Sequence, residues 1–293
     1  MPEPRRRPSD RRSSERRPSD RRSSARDRRG GGSDLIARIL VAVPLVALTL
    51  VLIHLGGLAW ALFMIAVGWA CLIELYGLLA RWRPAAVIGV ASTAALVLAA
   101  RYGNRGDVLE VAVATVPVLF LAVVARGQGH VTTAVASTLL GVYWIGFAVA
   151  HGELLRQLPH GNGVIIDVLV GTFLGDTGAY LGGRLFGRTA LAPKISPHKT
   201  VEGLICGMLI AIVSVFLAGL FQAWLTQTDA LYLGLVVAIV GPIGDLFESA
   251  IKRDAGTKDA GRLFGPHGGV LDRADAALFT IVAGYYVWLA LLH

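Results

Sequence analysis

From Ile39 to Ile73 the chain runs for 35 residues without an Asp, Glu, Lys or Arg, broken in character only by the pair Gly56 and Gly57. That length exceeds the roughly 20 residues needed to cross a hydrocarbon core of about 30 Å, so it predicts two helices with a tight turn at the glycines. Comparable charge-poor runs recur as far as the C-terminus. They predict nine helices, near residues 35 to 55, 58 to 80, 84 to 100, 108 to 125, 131 to 150, 163 to 182, 203 to 224, 231 to 251 and 274 to 292. The expected fold class is an all-α integral membrane protein of about nine transmembrane helices. With 54% hydrophobic residues, 16% charged and a mean hydropathy of +0.60, an ordinary soluble globular domain is excluded.

The first 34 residues depart from this pattern, with only Met1 and Ala25 apolar. RRPSDRRSS occurs at Arg6 to Ser14 and again at Arg16 to Ser24. A repeat of Arg, Ser, Asp and Pro with nothing to bury predicts a disordered tail. Polar sequence precedes the first apolar run, which is not the order of a secretory signal. The tail holds twelve Arg against six acids, a net of +6, while the rest of the chain holds sixteen basic residues against fourteen acids. Two readings of those arginines stay open: a solvated tail that fixes topology, or one that holds anionic lipid head groups at about 1 kcal/mol per residue.

Loop charge sets the orientation. With the tail cytoplasmic, inside loops carry Arg81, Arg83, Arg126, Arg184, Arg188, Lys194, Lys199, Lys252, Arg253, Lys258, Arg262 and Arg273, and outside loops only Arg101, Arg105 and Arg156. The positive-inside rule favours that topology. The chain then reads as a tail over 1–34, N-terminal helices over 35–162 and a C-terminal catalytic region over 163–293, in a bacterial inner membrane. Cys71 and Cys206 stand alone in apolar runs and make neither a disulfide framework nor a metal site.

The remaining charges gather in two places. Residues 176 to 203 and 245 to 275 hold nine of the sixteen basic and eight of the fourteen acidic residues outside the tail, and both fall on the cytoplasmic face. Acids, bases and glycines beside an apolar bundle predict a polar site for an anionic substrate and a metal. In the second segment Asp245, Ser249 and Lys252, at i, i+4 and i+7, share a helix face. Asp272 and Asp275, at i and i+3, share another. Three carboxylates brought together would repel one another, and a hard divalent cation such as Mg²⁺, which prefers oxygen ligands, would relieve that repulsion. Gly265, Gly268 and Gly269 around Pro266 and His267 form a turn whose amides can face phosphate oxygens, and Arg253, Lys258 and Arg273 can neutralise a polyphosphate.

Plainer readings coexist with these. Asp272 or Asp275 alone can be a helix cap; Arg253, Lys258 and Arg262 can be topology determinants; and a lone His267 can be a hydrogen-bonded structural residue. Asp245, inside an apolar helix, is harder to explain without a function. In the first segment Asp176 closes the sixth helix, Gly182 and Gly183 permit close packing or a turn, and Arg184, Arg188, Lys194 and Lys199 surround Ser196, Pro197 and Thr200. That spacing fits a head-group or nucleotide cradle and equally a charged loop. No P-loop, HExxH, GxSxG or EF-hand pattern is present.

At these residues the sequence resembles the phosphatidate cytidylyltransferases, or CDP-diacylglycerol synthases. The family's C-terminal pattern is met by Ser249, Ile251, Lys252, Arg253, Lys258, Asp259, Gly261, Phe264, Gly265, His267, Gly268, Gly269, Val270, Asp272, Arg273 and Asp275. Ala274 departs from it, standing where a bulkier apolar residue or Thr is usual. Upstream, DTGAY, FGR and KISPHKTVEG resemble a second family stretch, with His198 in place of Lys or Asn. The resemblance covers roughly residues 171 to 276.

The resemblance implies transfer of a cytidylyl group from CTP to phosphatidic acid at the cytoplasmic membrane face. Asp245, Asp272 and Asp275 would hold Mg²⁺, as one ion or two, with a monovalent cation also open. Lys252, Lys258 and Arg273 would hold the triphosphate or pyrophosphate, with Ser249, Arg253, His267, Gly268 and Gly269 in the same site. Ser196, Lys199 and Thr200 would contact nucleotide or lipid phosphate. The acyl chains would stay in the bilayer while the head group enters a wet cavity. Partners are then CTP, phosphatidic acid and membrane lipids, with no nucleic acid; a homodimer is compatible, although no interface is legible. Two rivals remain, a cytidylyltransferase for another lipid phosphate such as an unsaturated ether lipid, and a cation-coupled transporter. The charge pattern shows no inverted repeat to support the transporter.

Overall fold

The computed structural model describes residues 43–127, 129–257, 260–261 and 269–293. The tail, the opening of the first expected helix, and Lys258, His267 and Gly268 lie outside the described residues. The chain divides into two units, Met1–Leu48 and Thr49–His293. The first contributes the opening of helix α1 (Val43–Leu55), and the rest belongs to the second.

Gly56 and Gly57 do break the long apolar run: both adopt positive φ, 60° and 61°, and separate α1 from α2 (Gly57–Leu78). Arg156 closes the break by donating from Nε to Ile53 O at 2.6 Å and from the guanidinium to His54 O at 3.2 Å, so the carbonyls freed at the end of α1 meet a cation. Then come α3 (Ala86–Tyr102) and α4 (Arg105–Ala125). A capping box starts α4 earlier than charge alone predicts: Asn104 accepts from Gly106 N, and Asp107 accepts from Asn104 N, both at 2.7 Å.

Next is one continuous rod of α5 (Val131–Gly141), a π-turn (Val142–Gly146) and α6 (Phe147–Gln157). The sequence expectation stopped it at 150. Its charged residue past that point has partners inside the bundle: Glu153, 1% exposed, accepts from Gln157 Nε2 at 3.1 Å through one oxygen and pairs with Arg101 at 3.8 Å. Helix α7 (Gly161–Phe186) leads into a small antiparallel hairpin, β1 (Ala190–Ala192) and β2 (Ser196–Thr200), followed by α8 (Val201–Gly219), α9 (Gln227–Asp254) and α10 (Leu271–Leu291). Asp176 therefore does not close its helix, which runs on to Phe186.

Among the described residues seven helices are long and apolar enough to cross a membrane: α2, α4, the α5–α6 rod, α7, α8, α9 and α10. The apolar helices α1 and α3 are shorter. Trp60, Leu72, Leu96, Ile145, Ile165 and Leu233 are buried in the core, whereas Leu109, Val113 and Leu121 on α4 and Leu209, Val213 and Leu217 on α8 face outward, as in a protein whose surrounding solvent is lipid. At the end remote from the hairpin, His160 stacks on Trp224 with centroids 4.7 Å apart, and Trp288 donates to Pro159 O at 2.8 Å. Such rings suit a membrane–water interface.

Two helix pairs are set by glycine. A Cβ at Gly207 would come within 2.8 Å of Gly175 O, and one at Gly203 within 3.0 Å of Gly183 Cα, so α7 and α8 pack backbone to backbone. On α9, a Cβ at Gly244 would come within 2.8 Å of Asp275 O and 3.1 Å of Ala276 Cα. That close approach presents Asp245 and Glu248 of α9 to Asp275 of α10. Gly244→Ala should therefore destabilise the protein by about 1–3 kcal/mol through overpacking against backbone. Gly77→Ala, where a Cβ meets nothing within 4 Å, should be neutral or stabilising by up to about 1 kcal/mol. Thermal unfolding in detergent compares them, and equal behaviour of the two variants would contradict the packing argument.

Candidate active site

The hairpin, the C-terminal end of α9 and the N-terminal end of α10 meet at one end of the bundle. Between Asp245 and Lys252, two helical turns put Asp245, Glu248 and Lys252 on one face. Lys252 Nζ donates to Glu248 Oε2 at 2.6 Å and to Asp272 Oδ1 at 2.8 Å, bridging α9 to α10. Asp245 forms an ion pair with Lys199 of β2.

Three carboxylates converge behind these pairs. Asp245, Glu248 and Asp275 each offer an oxygen, and the three lie within 4.8 Å of one another. Glu248 is 1% exposed and Asp275 8%. The Glu248 oxygen not bound to Lys252 is buried and has no hydrogen-bond partner among the described residues. No ammonium or guanidinium pairs with Asp275 among them either. Adjacent buried acids with an orphaned oxygen are unfavourable unless a cation joins them. An all-oxygen donor set fits a hard divalent cation such as Mg²⁺ better than a softer metal.

Asp272, expected beside Asp245 and Asp275, is engaged differently. It accepts from Gly269 N at 2.7 Å and from Ala260 N at 3.1 and 3.2 Å, and it pairs with Lys252. From the first turn of α10 it thus holds the backbone at Ala260 and Gly269 against that helix, where a carboxylate is also favoured by the helix dipole. Glu248, not among the residues expected at the site, joins Asp245 and Asp275 in the cluster. It lies three residues after Asp245 and four before Lys252, on the helix face that spacing had already grouped.

The other expected residues are placed as follows. Thr200 caps α8, its hydroxyl accepting from Gly203 N at 3.1 Å, and Ser196 is half-buried at the opening of β2. Ser249 is half-buried on α9, and Arg273 is exposed on the first turn of α10. Arg253 donates to Ile195 O at 3.1 Å, tying the end of α9 to the hairpin turn, and to Thr257 O at 3.3 Å. Glu202 accepts from the amides of Arg188 and Thr189 at 3.0 and 3.1 Å, which fixes the strand entry to α8 and so the position of Lys199.

Sequence reasoning also missed Glu74. From α2, in the N-terminal half, its Oε2 accepts from Leu271 N at 2.9 Å, and a Cβ at Gly261 or Gly269 would collide with its carboxylate. A lone acid near the end of an apolar helix gave no spacing signal, because its partners lie about two hundred residues away. Arg81 makes a similar long-range contact, donating to Asp254 O at 2.6 Å at the C-terminal end of α9, where a cation is favoured.

The comparisons with known proteins agree on one family. The family model described as "Cytidylyltransferase family" matches residues 36–291. A phosphatidate cytidylyltransferase of Brucella suis biovar 1 (strain 1330) is 35% identical over 256 residues, 83% of this chain and 89% of that protein. One from Mycobacterium bovis is 32% identical over 163 residues, 56% of this chain and 53% of that protein. "Uncharacterized protein YnbB" of Escherichia coli (strain K12) is 35% identical over 182 residues, 58% of this chain and 61% of that protein.

If Glu74 holds the start of α10 in place, Glu74→Ala should cost about 1.5–3 kcal/mol, as for a lost hydrogen bond to a charged group, and Glu74→Gln should recover part of it. Thermal unfolding in detergent reads both. Wild-type stability of Glu74→Ala would show that the contact carries no weight.

Proposed function

Because the chain belongs to the cytidylyltransferase family, we propose that it converts CTP and phosphatidic acid to CDP-diacylglycerol and pyrophosphate, with its site on the cytoplasmic side of a bacterial inner membrane. The observation that carries this reading is the convergence of Asp245, Glu248 and Asp275 beside Lys199 and Lys252. The names of the relatives from Brucella suis and Mycobacterium bovis support the choice of phosphatidic acid. The excess of basic residues on loops at the site's end supports the cytoplasmic orientation.

In the reaction a phosphate oxygen of the lipid attacks the α-phosphorus of CTP in line. The new P–O bond forms as the bond from the α-phosphorus to the bridging β-phosphate oxygen breaks, and pyrophosphate leaves with that electron pair. Asp245, Glu248 and Asp275 would hold Mg²⁺, one ion or two, and Mg²⁺ when bound supplies charge neutralisation at the phosphoryl oxygens. Lys199 exchanges its contact with Asp245 for a substrate phosphate, acting as a point charge on the nucleotide or the lipid. Lys252 keeps Glu248 and Asp272 in register, and Arg253 and Arg273 lie at the rim where a triphosphate enters. Lys258, His267, Gly268 and Gly269 complete the phosphate contacts in this reading. Positioning and electrostatics account for the whole rate gain, and no covalent enzyme intermediate is required.

The test is transfer of label from α-phosphate-labelled CTP into chloroform-extractable lipid, with phosphatidic acid and Mg²⁺. Asp245→Asn, Glu248→Gln and Asp275→Asn should each lower turnover by about 10²–10³, the loss expected for a principal electrostatic element. Asp272→Asn should also fall, with a loss of thermal stability that the other three do not share. Lys194→Ala, exposed on the hairpin turn, should stay near wild type. Label that appears only with another lipid phosphate would reassign the acceptor. No label with any acceptor from a folded protein, together with uptake of ions or lipid into vesicles without CTP, would favour a transporter.

A further inference from the structure

Beside the carboxylates the helices enclose a space of a different kind. A cavity of about 490 Å³ lies between the α5–α6 rod, α9 and α10. Its wall is mostly aromatic and aliphatic, with Tyr143, Trp144 and Phe147 from the rod, Phe247 from α9, and Phe279 and Ala283 from α10. Tyr143 and Trp144 belong to the π-turn, an arrangement that commonly marks functional positions in helices. The Tyr143 hydroxyl donates to Ala112 O at 2.9 Å, which leaves its ring as wall. Trp144 meets Phe247 edge to face, with centroids 4.9 Å apart, and Phe279 at 6.5 Å.

Its position and chemistry select the occupant. Phe247 immediately precedes Glu248, and Leu278, also in the wall, lies one turn beyond Asp275, so the cavity starts within about one helical turn of the carboxylate cluster. From Leu278 to Ala283 it follows α10 for about 8 Å, at about 1.5 Å per residue, away from the polar end and into the apolar span. Its flank carries exposed apolar surface: Tyr143 is 42% exposed, and Ile239 and Ile243 on α9 are 45% and 50%. Apart from the unpartnered indole N–H of Trp144, this wall has little to offer the many polar groups of a nucleotide or peptide. A hydrocarbon chain joined to a phosphate would match both ends.

We infer that this cavity seats one acyl chain of the lipid phosphate, entered sideways from the bilayer, and that its depth sets a preference for chain length. The inference rests on the phosphatidate reading above.

Ala283→Phe shortens the cavity at its far end, and Val240→Phe, from the facing wall of α9, does so independently should the first variant fail to fold. The reading is KM for dioleoyl and for dioctanoyl phosphatidic acid in detergent micelles with CTP and Mg²⁺. The variants should raise KM for the dioleoyl lipid about tenfold, the weight of roughly two buried methylenes, and leave the dioctanoyl lipid little changed. Equal shifts for the two lipids, or no shift for either, would overturn the cavity's assignment while transfer itself persists. Failure of the unaltered protein to transfer to either lipid would overturn the phosphatidate reading on which it rests.

Discussion

The structure depends on how like charges are held together at the end of an apolar bundle. Asp245, Glu248 and Asp275 lie within a few ångströms of one another, two of them buried, and their repulsion opposes the packing of α9 against α10. That packing nonetheless brings the backbones into contact at Gly244. Two lysines offset part of the repulsion, Lys199 from the hairpin and Lys252 from within α9. Neither pairs with Asp275. Under the function proposed above, that imbalance is relieved when a cation and an anionic substrate arrive together.

The supporting contacts come from parts of the chain without family motifs. Glu74 on α2 accepts from the first amide of α10, and Arg81, just beyond α2, donates to the last turn of α9. The N-terminal helices thus brace both ends of the connection between α9 and α10. On the other side, Glu202 and Thr200 fix the hairpin to the start of α8, and the glycine contacts of α7 with α8 bring that hairpin up to α9. Lys199 reaches Asp245 because the strand that carries it is anchored at its end. The π-turn and the aromatic residues around it line an apolar space near the polar cluster.

Much of this was legible in the sequence where physics acts locally. Gly56 and Gly57 mark a helix break because positive φ is cheap only there, and charge-free runs locate the long helices because a bilayer leaves backbone groups no other partner. Spacing on one helix correctly grouped Asp245 with Lys252. It did not show the contacts of Asp272 with the amides of Ala260 and Gly269, which spacing does not place. Counting also stopped short at Glu153, a charge within the rod that meets Gln157 and Arg101 through one of its oxygens. Glu74 and Arg81 were silent because their partners are distant in sequence, and the hairpin was silent because its charged residues read as an ordinary loop.

We propose that Asp245, Glu248 and Asp275 hold the divalent cation, with Glu248 in the place of Asp272. Mn²⁺ binding to the purified protein in detergent, followed by the loss of the free-ion electron paramagnetic resonance signal, addresses it without reference to turnover. Glu248→Gln should weaken binding at least tenfold, while Asp272→Asn, in a preparation shown to be folded, should retain most of it. Wild-type Mn²⁺ affinity in Glu248→Gln, with binding lost in Asp272→Asn, would contradict it.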